Sequence, residues 1–166
     1  PEDRFGGLGA SPWTLLVQAV DHYVPDVAEL ITPFRFVPNW RIDDVMVSYA
    51  TDGGGVGSHY DNYDVFLVQG LGRRRWRVGP RCDAQTPLLP HKDLRLIPDF
   101  EATDEWVLEP GDILYVPPCF AHDGVAVGDD CMTYSIGFRA PSRAELIEGW
   151  CEHAAEQLPD EDRYAD

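Results

Sequence analysis

Residues 44–49 alternate strictly, with Val45, Val47 and Tyr49 on one side and Asp44, Met46 and Ser48 on the other. That period of two predicts a strand with unlike faces. Further short strands are expected at residues 60–68, 73–78, 94–97, 105–108, 113–116, 124–127 and 132–138. Turn residues punctuate them: Gly70-Leu71-Gly72, Gly79-Pro80, Glu109-Pro110-Gly111-Asp112 and Gly128-Asp129. About eight short strands with such punctuation predict an all-β sandwich or barrel, and the lack of strand–helix alternation excludes a Rossmann-type sheet. Helices are predicted on both flanks. Residues 1–10 read as a loop, Ser11-Pro12 as an N-cap with proline in the first turn, and 13–23 as a helix. Pro25 starts a second helix through Ile31, which Thr32-Pro33 ends. Beyond residue 138, Ser142 and Glu145 have capping-box spacing, and Leu146, Ile147, Trp150 and Ala154 form an apolar stripe. Residues 159–166 form an acidic, frayed tail, and no internal repeat is present.

Composition narrows the function classes. The chain has 166 residues, 44% of them apolar and 25% charged, which suits a folded domain rather than a disordered one. No apolar run approaches the roughly 18–20 residues of a membrane span. Thirteen lysines and arginines against 29 acids give a net charge of −16. That field repels bare nucleic acid and anionic membranes and favours a basic polypeptide partner. Cys82, Cys119, Cys131 and Cys151 form no C-x-x-C pair and are read as reduced thiols of an intracellular protein. No signal peptide opens the chain, and a first residue of Pro1 in place of Met is read as the mark of a trimmed one.

The sharpest chemical feature is His59-Tyr60-Asp61. Residues i and i+2 of a strand share a face, so one imidazole and one carboxylate point the same way, as a chelate requires. His122, after the apolar run 114–121, is the candidate third ligand. Two histidines and a carboxylate on one face of a metal leave positions open, as in non-haem Fe(II) oxygenases. Taken alone, H-x-D equally fits a strand end with a local His–Asp hydrogen bond. Arg74 comes thirteen residues after Asp61 and shares a strand face with Trp76 and Val78, while Arg73, Arg75 and Arg77 share the other. If the two apolar residues face the core, Arg74 is carried inward. A buried guanidinium then needs an internal Asp or Glu, or a bound anion whose carboxylate fits its planar fork.

Several longer runs resemble the JmjC/cupin ribosomal oxygenases. They are the Gly-rich run and its sequel at 53–70, Arg73-Arg74-Arg75-Trp76-Arg77-Val78-Gly79, the run 109–118, and Tyr134-Ser135-Ile136-Gly137-Phe138-Arg139-Ala140-Pro141. The bacterial branch, which hydroxylates an arginine of a large-subunit ribosomal protein, is the nearest in pattern. The resemblance implies a double-stranded β-helix, with N-terminal helices and a C-terminal helix around it. It implies iron ligands at His59, Asp61 and His122, with Arg74 as the 2-oxoglutarate anchor and Fe(II), 2-oxoglutarate and O₂ as cofactors. No side chain beyond the metal centre is needed as a catalytic acid or base. Relatives carry an assisting serine where this chain has Ala50, and Thr133 is the candidate replacement hydroxyl. By resemblance, residues 1–140 are the oxygenase core, 141–166 begin a helical dimerisation region, and a winged-helix domain lies outside the chain. The full-length protein is expected to be a cytoplasmic homodimer acting on a basic ribosomal protein.

On the substrate side, residues 53–57 are either a plain loop or a gate, and Asp52 either a turn aspartate or a partner for a substrate guanidinium. Ser142 is either a helix cap or a rim contact. His22, His91 and His153 are not expected to be ligands. Ser58-His59 is no hydrolase set, because G-x-S-x-G is missing. Arg73, Arg75 and Arg77 are read as a solvated, salt-bridged face. Histidine hydroxylation, and a silent cupin-like binding module, are the alternative functions.

Overall fold

Two unusually long strands organise the molecule. The computed structural model describes residues 7–9, 12–92 and 94–163 of the chain. Ser11, most of the opening loop and the last three residues lie outside them. Six strands are described: β1 (Thr14–Val17), β2 (Ile42–Ala50), β3 (Asp64–Arg81), β4 (Asp104–Leu108), β5 (Ile113–Val116) and β6 (Phe120–Phe138). Helix α1 (Pro25–Glu29), with 3₁₀ turns around it, precedes β2, and α2 (Arg143–Glu156) follows β6. All strand pairings are antiparallel, and β3 and β6 run alongside each other from Asp64↔Phe138 to Arg81↔Phe120.

Each long strand serves two layers. The first half of β3 lies between β6 and β5, with Val65↔Gly137 and Val65↔Val116. Its second half lies between β6 and β4, with Arg74↔Ala126 and Arg74↔Leu108. Beyond the last third of β6, β2 and then β1 extend the first layer. The fold is thus mostly antiparallel β, as the alternation predicts, but the count of strands differs. Gly70–Gly72 and Gly128–Asp130 do not end strands. They form bulges inside β3 and β6, where the pairing jumps from Leu71↔Met132 to Arg73↔Val127. Gly72 (φ 59°) could not carry a side chain, since a Cβ there would meet the Asp130 carbonyl oxygen at 2.8 Å.

The bulges change which residues point inward. In β3, Val65, Leu67 and Gln69 are buried before the bulge, and Arg74 and Trp76 after it. An unbroken period of two would have buried Arg73 and Arg75 instead. The same switch occurs in β6, from His122 and Gly124 to Ser135 and Gly137 as the inner residues. On the outer face of the first layer, Val45, Ile136 and Phe138 pack against Val27, Ile31 and Phe34 from the α1 segment. Burying each of these large apolar side chains contributes about 1.5–3 kcal/mol.

Two predicted elements are corrected. Residues 13–23 are not a helix: Thr14–Val17 pair with β2 from Thr14↔Ala50 to Val17↔Val47, and only Val20–His22 make a 3₁₀ turn. The open edge of β2 offers a full ladder to this β-branched and leucine-rich run, and that outweighs the Ser-Pro start signal. Residues 94–97 are not a strand, since only Leu96 makes an isolated bridge, to His59. α2 has the predicted capping box, Glu145 N donating to Ser142 Oγ and Ser142 N to Glu145 Oε2. Its apolar stripe is exposed at Leu146, Ile147 and Trp150. All four cysteines are free thiols. No helix among the described residues is long and apolar enough to cross a membrane.

Candidate functional site

The segment 58–63 runs into β3 without joining a ladder, so His59 and Asp61 are not strand residues as predicted. His59 is instead fastened to the start of β6 by a reciprocal bridge. His59 N donates to His122 O at 3.0 Å, and His122 N donates to His59 O at 2.9 Å. This pairing brings the two rings to 4.2 Å between centroids. The Asp61 carbonyl accepts from Cys119 N at 2.6 Å, which ties the third residue to the same turn.

The three side chains converge. Asp61 Oδ2 stands 3.8 Å from His59 Nε2 and 3.7 Å from His122 Nε2, and one ligand atom from each residue falls within 4.8 Å of the others. Bonds of about 2.0–2.2 Å from two such atoms to one ion span up to about 4.4 Å, so the carboxylate and either imidazole can share an ion. The tautomers suit this. His59 Nδ1 lies 2.8 Å from the Gly57 carbonyl oxygen and His122 Nδ1 2.9 Å from that of Phe120. A carbonyl only accepts, so each Nδ1 carries the proton and each Nε2 keeps its lone pair. Burial first, and then the His59 ring beside it, hold the His122 imidazole well below its ordinary pKa, so it is neutral and able to ligate at neutral pH. This triad is the only such cluster of three among the described residues. His22, His91 and His153 stand outside it.

A cavity of about 220 Å³ leads from the triad to Arg74. Arg74 is 2% exposed, and no Asp or Glu pairs with it among the described residues. Neutral groups hold it instead: Nε donates to Thr133 Oγ1 at 2.9 Å, Nη1 to the Gly124 carbonyl at 3.3 Å and Nη2 to Ser48 Oγ at 3.4 Å. Its guanidinium also lies 5.9 Å from the Trp76 ring centroid. Burial lowers the Arg74 pKa from its ordinary value. Of the two partners the sequence allowed, an internal carboxylate and a bound anion, only the second is compatible with this environment. A dicarboxylate placed between Arg74 and a metal at the triad fits both ends.

Other predicted residues are placed differently. Thr133 does not line the cavity. Its hydroxyl accepts from Arg74 and donates to Gln69 Oε1 at 2.9 Å, so it has no proton to offer an acceptor-only carboxylate. The serine hydroxyls on the cavity wall belong to Ser48 and Ser135. Ser48 lies two residues before Ala50, on the inward face of β2, where the pairing of β2 with β6 places it. Asp52 and Ser142 do not line the cavity either. Asp52 Oδ1 accepts from Gly128 N at 2.7 Å, and Ser142 caps α2. Three residues went unnoticed in the sequence: Tyr63, Asp43 and Asp44 all reach the wall. Burial first, then Asp61, pushes the Tyr63 phenol up. Arg77 is salt-bridged, to Asp99 at 2.9 Å and Asp123 at 3.0 Å.

Comparison with known proteins gives a consistent result. A sequence profile described as the JmjC domain matches residues 29–146. The ribosomal protein uL16 3-hydroxylase of Escherichia coli is 48% identical over 166 residues, all of this chain and 44% of that protein. A bifunctional lysine-specific demethylase and histidyl-hydroxylase of Brugia malayi is 38% identical over 80 residues, 45% of this chain and 11% of that protein. The solved structure of the E. coli ribosomal oxygenase YcfD with cobalt and 2-oxoglutarate superposes with a TM-score of 0.81 at 44% identity, covering 100% of this chain and 44% of that one. The chain therefore spans less than half the length of each of these relatives.

Proposed function

The chain belongs to the JmjC domain family, and from that premise we propose that it is the oxygenase core of an Fe(II)- and 2-oxoglutarate-dependent hydroxylase acting on an arginine side chain of a large-subunit ribosomal protein. One observation carries the reading: a buried arginine with no carboxylate partner among the described residues faces a cavity whose other end is a His-Asp-His cluster. The E. coli structure with cobalt and 2-oxoglutarate supports it.

When bound, iron, 2-oxoglutarate and O₂ together supply the oxidising power that puts oxygen into a C–H bond. The chain's own residues do the rest. His59, Asp61 and His122 would hold the metal, each through one ligand atom. Arg74 takes the far carboxylate, with Ser48 beside it. Val65, Leu67 and Trp76 line the cavity and keep water from it. Asp43 and Asp44, on the same wall, supply negative charge for a substrate guanidinium. Asp52 keeps Gly128 with one carboxylate oxygen and would offer the other to a substrate guanidinium outside the cavity, while Ser142 would reach the substrate only in addition to capping α2. Asp52→Ala is expected to raise the substrate KM about tenfold, the loss of one charged hydrogen bond, with uncoupled 2-oxoglutarate turnover unchanged. An unaltered KM removes Asp52 from the site.

The reading is tested by incubating the full-length protein with Fe(II), 2-oxoglutarate and peptides from basic ribosomal proteins, then locating the added oxygen by tandem mass spectrometry. Oxygen on arginine is expected. Oxygen on histidine would favour the histidyl-hydroxylase reading, for which the B. malayi relative's name speaks. No oxygen on any peptide or ribosomal fraction would leave a binding module. We also propose that residues 1–140 form the core and that 141–166 begin a helical region. The exposed Leu146, Ile147 and Trp150 would serve dimerisation in the full-length protein. The cytoplasm is the location proposed for that protein, and a ribosomal substrate supports it.

A further inference from the structure

We infer that Gln69 is a positioning residue for the bound dicarboxylate: through Thr133 it sets the orientation of the Arg74 guanidinium, and through Leu71 it holds the bulge that turns Arg74 inward. The inference rests on the reading of the cavity as a 2-oxoglutarate site.

Gln69, Thr133 and Arg74 are 1%, 1% and 2% exposed, so their hydrogen bonds have no water to exchange with. The chain between them has a single possible polarity. Arg74 Nε can only donate, and it donates to Thr133 Oγ1 at 2.9 Å. At the other end the Leu71 carbonyl can only accept, and it accepts from Gln69 Nε2 at 2.7 Å. That bond turns the Gln69 oxygen toward Thr133, whose hydroxyl donates to it at 2.9 Å. With its proton committed there, Thr133 presents a lone pair to Arg74 and nothing else. The guanidinium edge at Nε is therefore held, and the two Nη groups are left directed at Ser48, Gly124 and the cavity.

The same amide spans the place where β3 changes its inward residues. Gln69 is the last buried residue of the first half, and Leu71 is the bulge residue whose pairing shifts on both sides. Gln69 Nε2 holds the Leu71 carbonyl across that irregularity, and Gln69 N and O bond to Asp112 and Gly111, which fastens it to the neighbouring turn. One side chain thus sets both the backbone frame that delivers Arg74 and the rotation of its head.

Gln69→Met, Thr133→Val, their double variant and Thr133→Ser test this in the full chain. Mn(II) and 2-oxoglutarate serve as probes, binding is followed by calorimetry without O₂, and thermal unfolding is recorded alongside. Gln69→Met and Thr133→Val are each expected to weaken 2-oxoglutarate binding about tenfold, with Mn(II) affinity within about twofold. The double variant should bind about as weakly as either single one, because both changes break one chain. Thr133→Ser, which keeps the hydroxyl, should bind like the parent. A Gln69→Met protein binding 2-oxoglutarate like the parent, or single effects that multiply in the double variant, would overturn the inference. So would a lowered unfolding temperature with unchanged affinity. A parent protein that binds no 2-oxoglutarate in the presence of Mn(II) would instead overturn the underlying reading of the site.

Discussion

Arg74→Met leaves a protein that binds Mn(II) normally and 2-oxoglutarate at least about 100-fold more weakly. Removing one partner from a buried charged pair costs about 3–5 kcal/mol, which at 1.36 kcal/mol per decade is a loss of roughly 150- to 5,000-fold. The full figure is expected because the other neighbours of Arg74 are neutral: Thr133, Ser48 and the Gly124 carbonyl cannot replace its charge. Methionine fills the methylene channel and needs no hydrogen bonds, so the barrel is expected to keep its unfolding temperature or gain slightly in the absence of ligand. Arg74→Lys should recover only part of the affinity, since one ammonium cannot satisfy Thr133 and a carboxylate together. Calorimetric titration with and without Mn(II) reads both constants. Undiminished 2-oxoglutarate affinity in Arg74→Met would show that the dicarboxylate binds elsewhere.

The second large effect is expected at the metal. Asp61→Ala removes the only anionic member of the triad and leaves His59 and His122 facing each other across 4.2 Å between ring centroids. Loss of a group that merely orients a ligand typically weakens metal binding 10- to 100-fold, so loss of the ligand itself should cost at least about 100-fold. Asp61 makes its backbone contact with Cys119 through its carbonyl, which alanine retains, so the fold should survive. Co(II) absorption bands titrated into metal-free protein give the measurement. A variant with parental Co(II) affinity would mean that the triad is not the metal centre.

The parts of this site that were legible in the sequence are those fixed by short spacing or by a motif. His59 and Asp61 stand two apart, and Arg74 shares its parity with Trp76. The groups that hold Arg74 were not legible, because they come from other strands: Thr133 is 59 positions away, Gly124 50 and Ser48 26. Ser48 sits on the cavity wall by register, while a search for a serine at Ala50 looked at the wrong member of the same face. The glycines at 70 and 72 were read as a break because a turn and a bulge call on the same conformational freedom. Only the pairing partner distinguishes them, and for Leu71 it lies 61 residues on, at Met132. Residues 13–23 show the converse. Their local start signal was sound, but β2 had an edge to fill.

The bulge in β3 has a consequence for insertions and deletions. Three arginines stand in a row, so a one-residue slip of the second half of β3 would still present an arginine to the cavity, Arg73 or Arg75 in place of Arg74. The ligand chemistry alone is therefore indifferent to the frame. Packing is not: either slip puts Arg75 or Arg77 where Trp76 now lies against Gly124, whose missing side chain leaves room that a Cβ would close, meeting the ring at 2.5 Å. Trp76 and Gly124 thus act as the reading-frame check for this strand, and a gain or loss of one residue in the bulge would be rejected by them rather than by the arginine.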